Sequence, residues 1–157
     1  MWLRVVLLGS VALALSAASG ETPDDPILGT WQLNVAKSTF TPGPGWRSQI
    51  RTYSTAPDGG VSVSWSGVGA NGEQMQVSYT YKYDGRDYPM KGSASYDTLN
   101  ALPIDAFTVK SQEKRDGNVA GVAIRKVSTD GRVLTITDNG TNRKGMKFSQ
   151  VLVFDRQ

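Results

Sequence analysis

The sequence predicts an all-β fold, an antiparallel up-and-down barrel of eight to ten strands, on three observations. Turn dipeptides recur about every 13 residues, the segments between them alternate in side-chain polarity with period two, and no linking segment reads as a helix of three turns. The turns are Asp58-Gly59, Asn71-Gly72, Asp84-Gly85, Asp116-Gly117, Asp130-Gly131 and Lys144-Gly145, with one double gap that holds Asp97 and Pro103 near its middle. Val61, Val63 and Trp65 alternate with Ser62, Ser64 and Ser66. Met75, Val77, Tyr79, Tyr81 and Tyr83 share a face opposite Gln74, Gln76, Ser78, Thr80 and Lys82. That is the pattern of half-buried strands.

Taken in order, residues 1–20 read as a secretory leader. Arg4 gives a positive start, Val5 to Leu15 is apolar but for Gly9 and Ser10, and small residues close the segment at Ser16-Ala17-Ala18-Ser19-Gly20. Cleavage is expected after Gly20 or Ala18, and the compact start points to bacterial export, to the periplasm or the medium. No Cys stands at the junction for lipid attachment. The apolar run is too short to span a membrane. Residues 21–157 then make one domain, led in by a flexible stretch over 21–26. Candidate strands follow at 29–36, 47–55, 60–67, 74–83, 97–102, 106–114, 119–128, 132–138 and 146–155, with a helical turn at Thr98–Ala101 as the alternative to the fifth. A meander of this size does best by closing on itself, because closure removes exposed edges. A barrel of about eight strands fills its interior or holds one small ligand.

The chain has no Cys, so an exported barrel must be held by its core alone. It has no His, which excludes Ser-His-Asp and Cys-His chemistry and removes the ligand on which most zinc, copper and haem sites depend. No cofactor or metal is expected. The net charge of +3 is spread in alternating signs along the chain, so nucleic acid is not an expected partner. A monomer without integral membrane association is expected.

The two ends carry a resemblance. Leu28-Gly29-Thr30-Trp31-Gln32-Leu33-Asn34, followed by Ser38 and Phe40, resembles the opening strand of the calycins: the Gly-x-Trp of lipocalins and the Gly-Thr-Trp-x-Leu of fatty-acid-binding proteins. Val151-Leu152-Val153-Phe154-Asp155-Arg156 resembles the closing strand of the latter. The resemblance implies a lipocalin-like barrel, closest in style to small secreted bacterial ones, with its first and last strands paired. Leu152 and Phe154 stand where fatty-acid-binding proteins usually place an Arg and a Tyr for a ligand carboxylate. The connection Thr39–Trp46, with Pro42, Gly43, Pro44 and Gly45, cannot form that family's helix-turn-helix lid.

Trp31 is expected to plug one barrel end, against an Arg from a late strand such as Arg156. If the tyrosine row faces inward it lines a cavity; if outward it is a cross-strand ladder. Arg51 is expected on the surface. Arg125 shares a face with Gly121, Ala123 and Val127, and is either a surface residue or an interior one in need of an anionic partner such as Glu113 or a ligand carboxylate. Residues 83–89 read as a charged hairpin turn, with a barrel-mouth rim contact as the functional alternative. Asn139-Gly140-Thr141 reads as a turn. The candidate ligand-lining set is Trp65, Tyr79, Tyr81, Tyr53 and Arg125. The leading expectation is a non-enzymatic module that binds a small hydrophobic or amphipathic molecule. The alternatives are a cofactor-free lyase or isomerase working through Tyr79, Tyr81, Arg125 and Glu113, as a resemblance to phenolic acid decarboxylases implies, or a structural barrel acting through its outer surface.

Overall fold

The computed structural model describes residues 25–157, so the leader and the first part of the lead-in lie outside the described residues. The strands are β1 (Gly29–Leu33), β2 (Thr39–Thr41), β3 (Ser48–Thr55), β4 (Val61–Val68), β5 (Gln74–Tyr81), β6 (Tyr88–Lys91), β7 (Thr98–Asp105), β8 (Thr108–Arg115), β9 (Asn118–Val127), β10 (Val133–Thr141) and β11 (Lys147–Arg156). They form one antiparallel sheet that closes where β1 meets β11, with Trp31 opposite Arg156 and Leu33 opposite Phe154. β2 continues along the same strand, with Thr39 opposite Val151 and Thr41 opposite Ser149. β1 and β2 are therefore two halves of one stave, and the barrel has ten staves. A single 3-10 turn, Val35–Lys37, breaks that stave where a continuous strand over 29–36 was expected.

All six expected turn glycines adopt positive φ, and Asp116 joins Gly117 in the left-handed region at φ 49° and 75°. Two such residues in a row match the turn that follows the twist of the flanking strands. Asp105-Ala106-Phe107 supplies the turn inside the double gap, where the Phe107 amide donates to Asp105 Oδ1 at 2.8 Å. Residues 98–101 are strand, not a helical turn, and Asn139-Gly140-Thr141 ends β10 instead of forming a turn. β6 is the shortest stave and pairs with β5 only at Ser78 and Tyr79.

The Val61-Val63-Trp65 face of β4 points inward, and the register carries that choice around the barrel. Tyr53 lies opposite Val63, Arg51 opposite Trp65, and Tyr79 and Tyr81 opposite Val63 and Val61. The end that holds Trp31 is sealed. Trp31 is 0% exposed, and its indole N–H donates to the Ile27 carbonyl at 2.7 Å. The Arg156 guanidinium sits 4.1 Å from its ring centroid and donates to the carbonyls of Pro26 and Leu28, each at 2.6 Å, and of Gly131. Asp25 and Pro26 are thus part of an ordered turn under the barrel, in place of a flexible lead-in. The hairpin at 82–87 is tied to this end by Tyr83, which donates to Asp25, and its charges are paired at the surface: Tyr88 donates to Asp84 at 2.9 Å, and Lys114 pairs with Asp87 at 2.8 Å.

Candidate functional site: the barrel interior

At the end opposite Trp31, aromatic side chains close over the interior without helices. Trp46, from the Pro-Gly connection, meets Trp65 edge-on with centroids 5.6 Å apart, and Phe40 packs against the same core. Tyr96 enters from the 92–97 loop. That loop is fastened by Arg115, which donates to the carbonyls of Ser95, Thr141 and Asn142, and by Arg143, which reaches Ala94 and Asp97.

Gly121 and Gly140 face each other on β9 and β10 and make room for the Tyr96 phenol; a Cβ on either would lie 2.6 Å from its oxygen. Gly121→Ala is expected to destabilise the fold by about 1–3 kcal/mol through overpacking. Tyr96→Phe in the same chain should restore part of that loss, and urea unfolding of both singles and the double variant measures a coupling above about 0.5 kcal/mol.

The interior carries charge. Arg125 is 4% exposed and donates from Nη1 to the Tyr81 hydroxyl at 2.9 Å. Its guanidinium lies 5.0 Å from the Tyr81 ring centroid and 6.0 Å from that of Tyr53. Among the described residues its Nε and Nη2 find no hydrogen-bond partner, nor does the Tyr53 hydroxyl. The Tyr81 hydroxyl donates to that of Tyr83 at 3.4 Å, and Tyr83 donates to Asp25, so the tyrosine row ends on the turn beneath the barrel. Burial raises the phenols of Tyr79, Tyr81 and Tyr83 above their ordinary range. They are hydrogen-bonding groups at neutral pH, not bases.

Arg51 is the correction to the expected surface placement. Opposite Trp65 in the register, it lies between the rings of Trp65 (5.1 Å) and Phe154 (5.4 Å) and donates from Nε to Gln49 Oε1 at 2.7 Å. Two carboxyls also face inward. Glu113 on β8 accepts from Ser111 at 3.2 Å, and Asp138 on β10 accepts from Gln150 at 2.8 Å. Burial, and then the nearby Asp138, push Glu113 up to about 7; burial also raises Asp138.

The structure thus brings all five expected lining residues, Trp65, Tyr79, Tyr81, Tyr53 and Arg125, to one inner surface. It adds Arg51, Gln49, Asp138 and Tyr96, which the sequence reading did not select. It does not bring Glu113 onto Arg125: among the described residues no ion pair joins them. The Tyr–Arg–Glu convergence that the lyase alternative requires is therefore incomplete.

No family model and no curated protein matches the chain. Among solved structures it is similar to a zebrafish ileal bile acid-binding protein complexed with cholic acid, at 9% identity over 84% of this chain and 99% of that one, with a TM-score of 0.47. It is also similar to the siderocalin Ex-FABP, at 9% identity over 84% of this chain and 74% of that one, with a TM-score of 0.39. These structural neighbours are calycin barrels of the fatty-acid-binding and lipocalin kinds.

Proposed function

We propose that this barrel binds a small amphipathic molecule in its interior and holds an anionic or hydrogen-bond-accepting end of it on Arg125 and Tyr53. One observation carries the reading. A guanidinium that is always charged lies buried with two of its nitrogens unpartnered among the described residues, 5.0 Å from the ring centroid of Tyr81 and 6.0 Å from that of Tyr53, whose hydroxyl is also unpartnered. A buried charge without a partner is strongly unfavourable, and a planar acceptor such as a carboxylate matches the guanidinium fork. Trp65, Tyr79 and Met75, on the same face, offer the apolar remainder of the ligand its contact surface.

Quenching of tryptophan fluorescence by decanoate tests this, since Trp65 lies on the inner surface. Arg125→Met should weaken decanoate binding by about 10- to 100-fold, the worth of a charge-assisted hydrogen bond. Equal affinity in the variant, or no binding by the wild type, would overturn the reading. The apolar run Val5 to Leu15 and the small residues after it support export of the same protein, to act outside the cytosol. N-terminal sequencing of protein recovered from the envelope or medium is expected to begin at residue 21 or 19.

A further inference from the structure

We infer that the ligand is a zwitterionic amphiphile, its cationic end received by Glu113, Asp138 and Tyr96 while its anionic end rests on Arg125. This deepens the proposed function and rests on it.

The acceptor side of the site is built from what hydrogen bonding has left over. Ser111 satisfies Glu113 Oε1 and Gln150 satisfies Asp138 Oδ2. The other oxygen of each, Glu113 Oε2 and Asp138 Oδ1, is shut off from solvent and, among the described residues, unpartnered, as is the Tyr96 hydroxyl. These two carboxylates and a phenol offer acceptors and one donor that can rotate away. That set suits an ammonium with its three N–H groups.

The chain's own cations near this site, Arg125 toward Glu113 and Arg51 toward Asp138, act on the carboxyls through space and place their hydrogen bonds elsewhere. Arg51 is held by Gln49 and by the faces of Trp65 and Phe154. Arg115 spends its guanidinium on the carbonyls of Ser95, Thr141 and Asn142 and lies 6.0 Å from the Tyr96 ring centroid. Arg125 turns away toward Tyr81. Among the described residues no ion pair reaches the two acids or Arg125, which is nine-tenths buried. Each pole is completed by a ligand group of the other's charge. Burial, and then the charge of Asp138, hold the Glu113 proton up to about 7, a state that an incoming ammonium would reverse.

The register sets the length of the ligand. Asp138 lies opposite Ala123 and Glu113 opposite Gly121, two and four residues along β9 from Arg125. At a strand rise of roughly 3.3 Å per residue the backbone positions of the two poles stand about 7–13 Å apart along the barrel wall. A simple α-amino acid is too short to bridge them, whereas an ω-amino carboxylate of six to eight carbons spans a comparable distance.

The test is a tryptophan-fluorescence titration of the purified chain at pH 8 with octanoate and with 8-aminooctanoate. The amino acid should bind at least tenfold more tightly. Glu113→Gln/Asp138→Asn should erase that advantage and leave octanoate binding as strong or stronger, which also shows that the variant is folded; Glu113→Gln alone should erase part of it. Octanoate binding as tightly as 8-aminooctanoate to the wild type would overturn this inference while the Arg125 reading stands. An advantage that survives the double substitution would also overturn it. Failure of both probes to bind would overturn both readings.

Discussion

Trp31→Ala will lower the unfolding free energy by about 3–5 kcal/mol, the range for deleting a fully buried large aromatic. The indole is 0% exposed and lies where the first and last strands meet. Its removal opens a void between β1 and β11, the one seam that closes the sheet. It also takes away the partner of the Ile27 carbonyl and the ring face beneath Arg156. The guanidinium would keep its carbonyl acceptors at Pro26, Leu28 and Gly131 but lose a stacking surface worth about 0.5–2 kcal/mol. Trp31→Phe keeps a ring and loses the N–H donor, so it should recover more than half of the loss. Urea unfolding followed by far-UV circular dichroism reads both, and a loss below about 1.5 kcal/mol for Trp31→Ala would show that the seam does not depend on the plug.

That clamp was legible in the sequence because it follows from closure: once the chain is a barrel, its end strands must be neighbours. The hairpins were legible for a local reason, since Asp-Gly and Asn-Gly favour the positive φ that Gly59, Gly72, Gly85, Gly117 and Gly131 adopt. β2 and β6 escaped because they are three and four residues long, too short for an alternating pattern, and β6 contains Pro89. Their conformation is set by distant partners: Phe40 pairs with Gln150, and Met90 with Tyr79.

The site divides along the same line. Tyr53, Tyr79, Tyr81 and Arg125 follow from alternation once one face of β4 is taken as inward. Arg51 follows from the same parity, two residues before Tyr53, but its charge argued for the surface. The guanidinium is accommodated instead by Gln49 and two aromatic faces. Tyr96 sits in a loop where no period exists. Its trace in the sequence lies elsewhere, in Gly121 and Gly140, glycines inside strands that mark the close approach of another group.

Glu113→Gln should stabilise the protein at pH 8 by about 2–3 kcal/mol and flatten its pH dependence between about 4.5 and 7. Unfolded, the carboxyl releases its proton near 4.5; folded, it keeps it up to about 7. Between those values the native state binds more protons than the unfolded state, so stability falls as pH rises, by up to about 1.4 kcal/mol per pH unit, and levels off above 7. Glutamine fills the same volume without the charge and removes that slope. Asp138, also raised by burial, contributes a slope of the same sign that remains in the variant. Urea midpoints at pH 5, 6, 7 and 8 separate the two, and parallel curves for wild type and variant would place the ionised Glu113 in water. The same proton links stability to binding. A cationic group that seats against Glu113 needs the ionised form, so its uptake near pH 6 should release close to one proton per ligand, while octanoate, held at Arg125, should release none. Calorimetry in buffers of different ionisation enthalpy measures that difference directly.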